Sequence, residues 1–279
     1  MAKDWKNLSD RVVSLVGLRT KPLGFKFFKS ADELKGIEGI ARPAFKRTVC
    51  QFMGSSRYLG QAWGATAEDQ FCQAGAWTLG VFPETPEAFS TGELYTDMVL
   101  GIATPEVARK IADGLPKNKD KFEAFAVMPL DGGAVAEQIT FEPDMVIIYG
   151  EPGQLGMLTI PACAALGIPA FRGRILGDTG ICADGIPACW NSGECTFFLP
   201  CIGDRAYGGT LSSEVAIIFP GDKFNDAVVS NMEKLNFPRN WSLSAPLGAY
   251  AAANQLMTLM GASTWPLTKG TPLIPEKES

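Results

Sequence analysis

The stretch Met145-Val-Ile-Ile-Tyr149, followed at once by Gly150-Glu-Pro-Gly153 and an apolar run through Leu166, most narrows what this chain can become. The first run reads as a strand, and the glycine turn hands it directly to a helix. Strand, tight turn and helix are the local unit of α/β folds, and ligands often sit where such strands end. The same unit is equally a plain crossover connection. Its glycine spacing is not Gly-x-Gly-x-x-Gly, and no Gly-Lys-Ser/Thr phosphate loop occurs, so nucleotide binding has no support.

Elements of both kinds surround it. Trp5, Leu8, Val12, Leu15 and Val16 recur at helical spacing, Lys21-Pro22 ends that helix, and Leu23 to Phe28 reads as a strand. Thr48 to Leu59 is helical. Thr66 with Asp69 resembles a helix entry leading into Phe71 to Leu79. Thr104-Pro105-Glu106 supplies cap, proline and acid for a helix ending near Gly114. Phe122 to Met128, Glu194 to Leu199 and Val215 to Phe219 read as strands, and Arg172 to Gly185 as a glycine-rich loop. Helices follow from Pro220-Gly221-Asp222 to about Leu235 and over Leu247 to Met260. The expected class is α/β (or α+β): a single large domain over residues 1–279, a mixed sheet with helices packed on it. A subdivision near Asn118 is compatible with the pattern.

Hydrophobic residues at 46% and charged residues at 20% suit a globular core and exclude wholesale disorder. Acidic residues number 30 against 25 basic ones, so the chain lacks the overall attraction to phosphate backbones on which nucleic-acid binding relies. The N-terminus has no apolar signal region. The two most apolar stretches, Leu155 to Phe171 and Leu247 to Thr264, are interrupted by Pro161 and Pro169 and by Asn254 and Gln255. A cytoplasmic protein with no membrane and no nucleic-acid partner is expected, and homo-oligomerisation is left open.

The chain has no histidine. That removes Ser-His-Asp and Cys-His couples, His-Glu-x-x-His zinc sites and histidine-ligated iron. Soft metals would be held by thiolate sulfur, and four cysteines are a standard set for both zinc and iron–sulfur clusters. Seven cysteines, an odd number in a reducing compartment, argue against a disulfide framework and leave core packing, a reactive thiol or metal ligation. None forms Cys-x-x-Cys. Four have suggestive settings. Cys50 precedes Arg57 by two helical turns. Cys72 precedes Ala74-Gly75, which lets backbone approach a ligand. Cys189 ends Gly185-Ile-Pro-Ala, a rigid turn, and Cys201 opens Cys201-Ile-Gly-Asp-Arg205. Arg57 and Arg205 would supply charge-assisted hydrogen bonds to thiolates or a bound anion, or else form structural ion pairs.

Gly185-Ile-Pro-Ala-Cys189, Leu199-Pro-Cys201-Ile-Gly-Asp-Arg205, Glu214 and Ile218-Phe-Pro-Gly221 resemble domain-of-unknown-function family 169. So do Pro22-Leu-Gly-Phe-Lys26, Cys50, Arg57 and Cys72-Gln-Ala-Gly75, and the resemblance runs from about residue 8 to 260. It implies an uncharacterised prokaryotic, mainly archaeal and anaerobic-bacterial, cytosolic protein with no assigned reaction. It also implies that Cys50, Cys72, Cys189 and Cys201 are the family-type cysteines. Cys163, Cys182 and Cys195 look peculiar to this chain. Cys163 reads as core, while Cys182 and Cys195 lie close enough to Cys189 to be alternative ligands.

Three functions follow as expectations. The first is a four-cysteine metal site, a [4Fe–4S] cluster foremost with zinc as its structural version, in electron transfer or reductive small-molecule chemistry. The second is a non-enzymatic module in which the Gly150 turn and the Arg172/Arg174 loop bind a small anion or cofactor. The third is thiol–disulfide exchange between Cys189 and Cys201 or Cys195. The expected partner is thus a small molecule or an electron-transfer protein.

Overall fold

Seven strands form one sheet in the computed structural model: β1 (Leu23–Phe28), β2 (Trp63–Thr66), β3 (Ala124–Pro129), β4 (Met145–Gly150), β5 (Arg172–Gly173), β6 (Thr196–Phe198) and β7 (Val215–Pro220). The structure describes residues 3–93, 104–167, 171–173, 175 and 179–235, all within the unit Met1–Ser242. Arg174 and the helix expected over Leu247–Met260 lie outside the described residues. Spatially the strands run β2-β3-β1-β4-β7-β6-β5, antiparallel throughout except for β5 beside β6. β1 pairs with both β3 and β4, so the sheet carries strands from both sides of residue 118. β3 and β4 are buried at every position, which is why their sequences are unbroken apolar runs.

The helices are α1 (Trp5–Val16), α2 (Ala31–Lys35), α3 (Val49–Leu59), α4 (Gln73–Thr78), α5 (Glu87–Ser90), α6 (Pro105–Gly114), α7 (Pro152–Leu166), α8 (Ile186–Ser192), α9 (Ile202–Ala206) and α10 (Asp226–Leu235). Their starts carry the caps expected of the side chains present. Asp4 accepts the Asn7 N–H, Thr48 and Gln51 form a reciprocal box, and Thr104 accepts the Val107 N–H ahead of Pro105. Among the described residues no helix is long and apolar enough to cross a membrane.

Alternation along the strands feeds two layers, giving the expected mixed-sheet α/β architecture. Val146, Ile148, Ile217 and Phe219 pack with Trp5, Leu8 and Val12 of α1, Leu155 and Leu158 of α7, and Val228 and Val229 of α10. Phe25, Phe125, Ile147, Tyr149 and Ile218 face the other way, toward Val49, Phe52 and Met53 of α3 and Ile181 and Ile186.

Local expectations differ in four places. β2 was not foreseen: it is a short run that pairs with β3 through Trp63 to Thr66. The Thr66–Asp69 signal leads only into a 3₁₀ turn, Ala67–Asp69, and α4 begins after Cys72. The segment expected as a loop over Arg172–Gly185 contains β5 and a π-helical stretch, Gly180–Gly185. The expected rigid turn Gly185-Ile-Pro-Ala-Cys189 is instead the opening of α8, where proline in the first turn forfeits no helix hydrogen bond.

α3 passes very close to the segment after α9: a Cβ on Gly54 would stand 2.3 Å from the Gly208 carbonyl oxygen. Alanine for glycine in a helix interior ordinarily stabilises by ~1 kcal/mol. Here Gly54→Ala is expected to destabilise by about 1–3 kcal/mol, as overpacking does. Chemical denaturation reads the sign, and a variant as stable as the parent would show that α3 is not pinned at this point.

Candidate metal centre

Four cysteines reach one cavity from four separate elements. Cys50 is the second residue of α3, behind the Thr48 cap. Cys72 is the N-cap of α4, its Sγ accepting the Gly75 N–H at 3.4 Å. Cys182 lies in the π-helical stretch, and Cys201 is the N-cap of α9, its Sγ accepting the Asp204 N–H at 3.4 Å. Together with Phe71, Phe89, Thr179 and Tyr207 they line a cavity of about 370 Å³. Three of the four sulfurs therefore stand at helix starts. Glycines keep the space beside them open. A Cβ on Gly203 would lie 3.4 Å from Cys50 Sγ and 3.5 Å from Cys201 Sγ, and one on Gly75 would lie 3.5 Å from Cys182 Sγ.

Cys50 and Cys201 of this wall group with Asp204, which does not itself line the cavity, each offering a ligand atom within 4.8 Å of the others, and all are buried. Asp204 Oδ2 accepts the backbone N–H of Cys201 at 3.0 Å and of Ile181 at 3.1 Å. Oδ1 is buried with no hydrogen-bond partner, and the carboxyl as a whole has the thiols of Cys50 and Cys201 as neighbours. The hydrogen bond to Cys201, then burial, then the charge of Asp204 push the Cys50 thiol well above its usual range. Burial likewise raises the Asp204 carboxyl, against the opposing backbone hydrogen bonds. Ionisation of Cys50 and of Asp204 is thus disfavoured. A bound cation would reverse that, since ligands must lose their protons to bind it.

Two arginines expected beside the thiolates have other partners. Arg57 is buried and donates to Thr20 Oγ1 at 3.2 Å, Thr210 Oγ1 at 3.1 Å and Glu214 Oε1 at 2.8 Å, with its guanidinium 3.9 Å from the centre of the Tyr149 ring. It is a structural ion pair that holds α3, and so Cys50, against the connection between α9 and β7. Arg205 donates to the carbonyls of Leu211 and Glu214 in that same connection. Tyr149 is buried beneath Arg57, and burial, then the charge of Asp204, raises its phenol.

The other expected ligands lie elsewhere. Cys189 is buried in α8, its thiol raised by burial and then by nearby Cys195. Cys195 belongs to the core on the opposite face of the sheet, where burial pushes its thiol up to about 12. Cys163 is half-buried on α7. The structure thus joins Cys50, Cys72 and Cys201 with Cys182 rather than Cys189, because the Gly185-Ile-Pro-Ala-Cys189 segment coils into α8 and turns that sulfur into the core. None of the seven cysteines, all among the described residues, is disulfide-bonded.

The Gly150 turn does not offer an empty anion site. Its helix begins with Pro152, Glu151 and Gln154 form a capping box there, and Glu151 also accepts from Arg19 at 3.0 Å. Arg172 is exposed and paired with Glu194 at 2.6 Å. Asp204 and Thr179 were not singled out from the sequence. Cys201-x-x-Asp204 has the spacing of a capping box, which would have placed both residues at a helix start. Thr179 carries no such local signal.

The model of the family described as "Uncharacterised ArCR", domain-of-unknown-function family 169, matches residues 11–230, and the chain belongs to that family. It is similar to an uncharacterised protein of the archaeon Methanocaldococcus jannaschii, 28% identical over 218 residues that make up 78% of this chain and 89% of the relative. No solved structure matches the chain.

Asp204 gives this site a pH signature. Its folded carboxyl titrates above the ordinary value of 3.8, so the metal-free fold is penalised at neutral pH, and the penalty is lifted as pH falls through the raised value toward 3.8. Asp204→Asn is therefore expected to raise the thermal midpoint of metal-free protein at pH 7 and to lose that advantage near pH 4. An advantage that grew on acidification would contradict the assignment.

Proposed function

We propose that this chain is a metal–thiolate protein holding an iron–sulfur cluster of the [4Fe–4S] type on Cys50, Cys72, Cys182 and Cys201, in electron transfer or reduction of a small molecule. The observation that carries this reading is the meeting of four cysteines, from four separate elements, on one cavity of about 370 Å³. Thiolate sulfur is the ligand type such clusters require, and the absence of histidine is compatible with an all-cysteine set. A four-thiolate zinc site is less well supported. Tetrahedral zinc with ~2.3 Å bonds holds its sulfurs ~3.8 Å apart. Among the described residues the close group contains two sulfurs and a carboxylate, with Cys72 and Cys182 outside it. A cluster spreads its thiolates, because each binds a different iron. When bound it would supply one-electron transfer at a buried position.

The close group favours a second reading, a single divalent ion, zinc foremost, on Cys50, Cys201 and Asp204. Metal and sulfide analysis of protein purified without oxygen separates the two. The cluster reading expects a brown protein with iron and sulfide in comparable amounts. Cys72→Ser and Cys182→Ser should each lose most of both, whereas Cys189→Ser and Cys195→Ser should keep them. The single-ion reading expects colourless protein whose zinc survives Cys72→Ser and is lost in Asp204→Asn. Protein with neither metal removes both.

A further inference from the structure

The two sulfurs of the close group belong to segments that the fold holds against each other. Cys50 Sγ and Cys201 Sγ lie within 4.8 Å of one another. Behind them the backbones touch: a Cβ on Gly208, just past α9, would stand 2.8 Å from the Cys50 carbonyl oxygen. Two helical turns beyond Cys50, the buried Arg57–Glu214 pair at 2.8 Å fixes α3 to the connection after α9. A disulfide bond is ~2 Å long, so the two side chains have at most ~3 Å to close between them. Gly203 leaves room for that travel, since a side chain there would press on both sulfurs, at 3.4 and 3.5 Å.

Reach from solvent singles out the same pair. Cys50 and Cys201 keep 7% and 4% of their surface exposed and line the cavity, whose wall extends to the largely exposed Phe71 and Tyr207. Cys189 and Cys195, expected from the sequence as an exchanging pair, are each 1% exposed and do not line it. Cys72 and Cys182 line the cavity but stand outside the close group.

We infer that, in the absence of metal, Cys50 and Cys201 are a thiol–disulfide exchange pair for small disulfides, and that their bond and a metal centre exclude each other. One of the two thiols gives up its proton and attacks the small disulfide, whose S–S bond breaks, and one small thiol leaves with that proton. The other cysteine then gives up its proton and attacks the mixed disulfide. The Cys50–Cys201 bond forms, and the second small thiol departs with the proton. Two electrons have passed from the cysteine pair to the small disulfide. The bond removes two of the cavity's thiolates as ligands, and a bound metal in turn engages both sulfurs and withholds them from exchange. The exchange rests on the geometry of the pair alone, and only the mutual exclusion rests on the metal–thiolate reading.

The test treats the full chain, purified without oxygen, with 2-hydroxyethyl disulfide, beside the same protein stripped by a chelator. After an acid quench, thiols are titrated in denaturant and cross-links are mapped by mass spectrometry of unreduced peptides. Stripped protein is expected to lose two of its seven thiols, with Cys50 joined to Cys201, and dithiothreitol should return both. Protein that holds its metal should keep all seven until the metal leaves. Cys189→Ser should form the same bond, whereas Cys50→Ser should stop at the mixed disulfide on Cys201. The map on the parent chain decides the matter even where a variant fails to fold. Stripped protein that loses no thiol, or that joins another pair, overturns the exchange. Metal-bearing protein that joins the pair as fast as stripped protein, with its metal still bound, overturns the exclusion. Protein purified free of metal that joins Cys50 to Cys201 keeps the exchange and sinks the metal reading. Metal-bearing protein that loses no thiol once stripped does the reverse.

Discussion

A single carboxylate oxygen joins two parts of the cysteine site. Asp204 Oδ2 takes the N–H of Cys201 from its own helix start and the N–H of Ile181 from the π-helical stretch, so the segments bearing Cys201 and Cys182 are drawn to one point. Only glycine fits at 180, where a Cβ would stand 2.2 Å from that oxygen and 2.7 Å from the Cys201 nitrogen. The third segment is set by the Arg57–Glu214 pair, whose side chains are 1% and 3% exposed. Breaking such a pair on one side leaves a buried uncompensated charge, which is why it specifies position even where its net contribution to stability is small. Arg57 thus acts on the cysteines through helix placement and not through contact with sulfur.

The sheet and most helices could be read in advance because their signals are local. Met145–Gly150 is apolar without alternation because both faces are covered, and Thr104-Pro105-Glu106 is a complete helix entry within three residues. β2 could not be read this way, since Trp63–Thr66 is a strand by virtue of its partner β3. The site was legible by residue type and only partly by membership. Family likeness pointed to Cys189, but α8 turns that residue into the core, while Cys182, two residues past the obligatory glycine, reaches the cavity. Which sulfur faces a cavity depends on helical phase, and a π-helical stretch next to an α-helix makes that phase unreadable from spacing.

The chemistry that converges here is acidic rather than basic. Two thiols and a carboxyl share a buried space, and burial holds the Cys50 thiol and the Asp204 carboxyl toward their uncharged forms. Arginine does not provide the opposing positive charge, because the donors of Arg57 are committed to Thr20, Thr210 and Glu214. Helix starts supply partial positive charge through the N–H groups of Gly75 and Asp204, which helps a sulfur anion but does not neutralise three acids. A bound cation would meet that need, and its binding would be coupled to proton release and weakened by acid.

Two buried polar atoms close to the site, Asp204 Oδ1 and Thr179 Oγ1, lack the partners that a fold selected for stability alone would have given them. Their demands differ: the carboxylate oxygen suits a cation, whereas the hydroxyl suits a neutral hydrogen-bonding group. A single bound species does not readily satisfy both, because an ion stripped of water beside Asp204 offers nothing to Thr179. A cation beside Asp204 would answer the first demand and leave the second. A protein that retains such local costs in an otherwise well-packed core does so where function opposes stability.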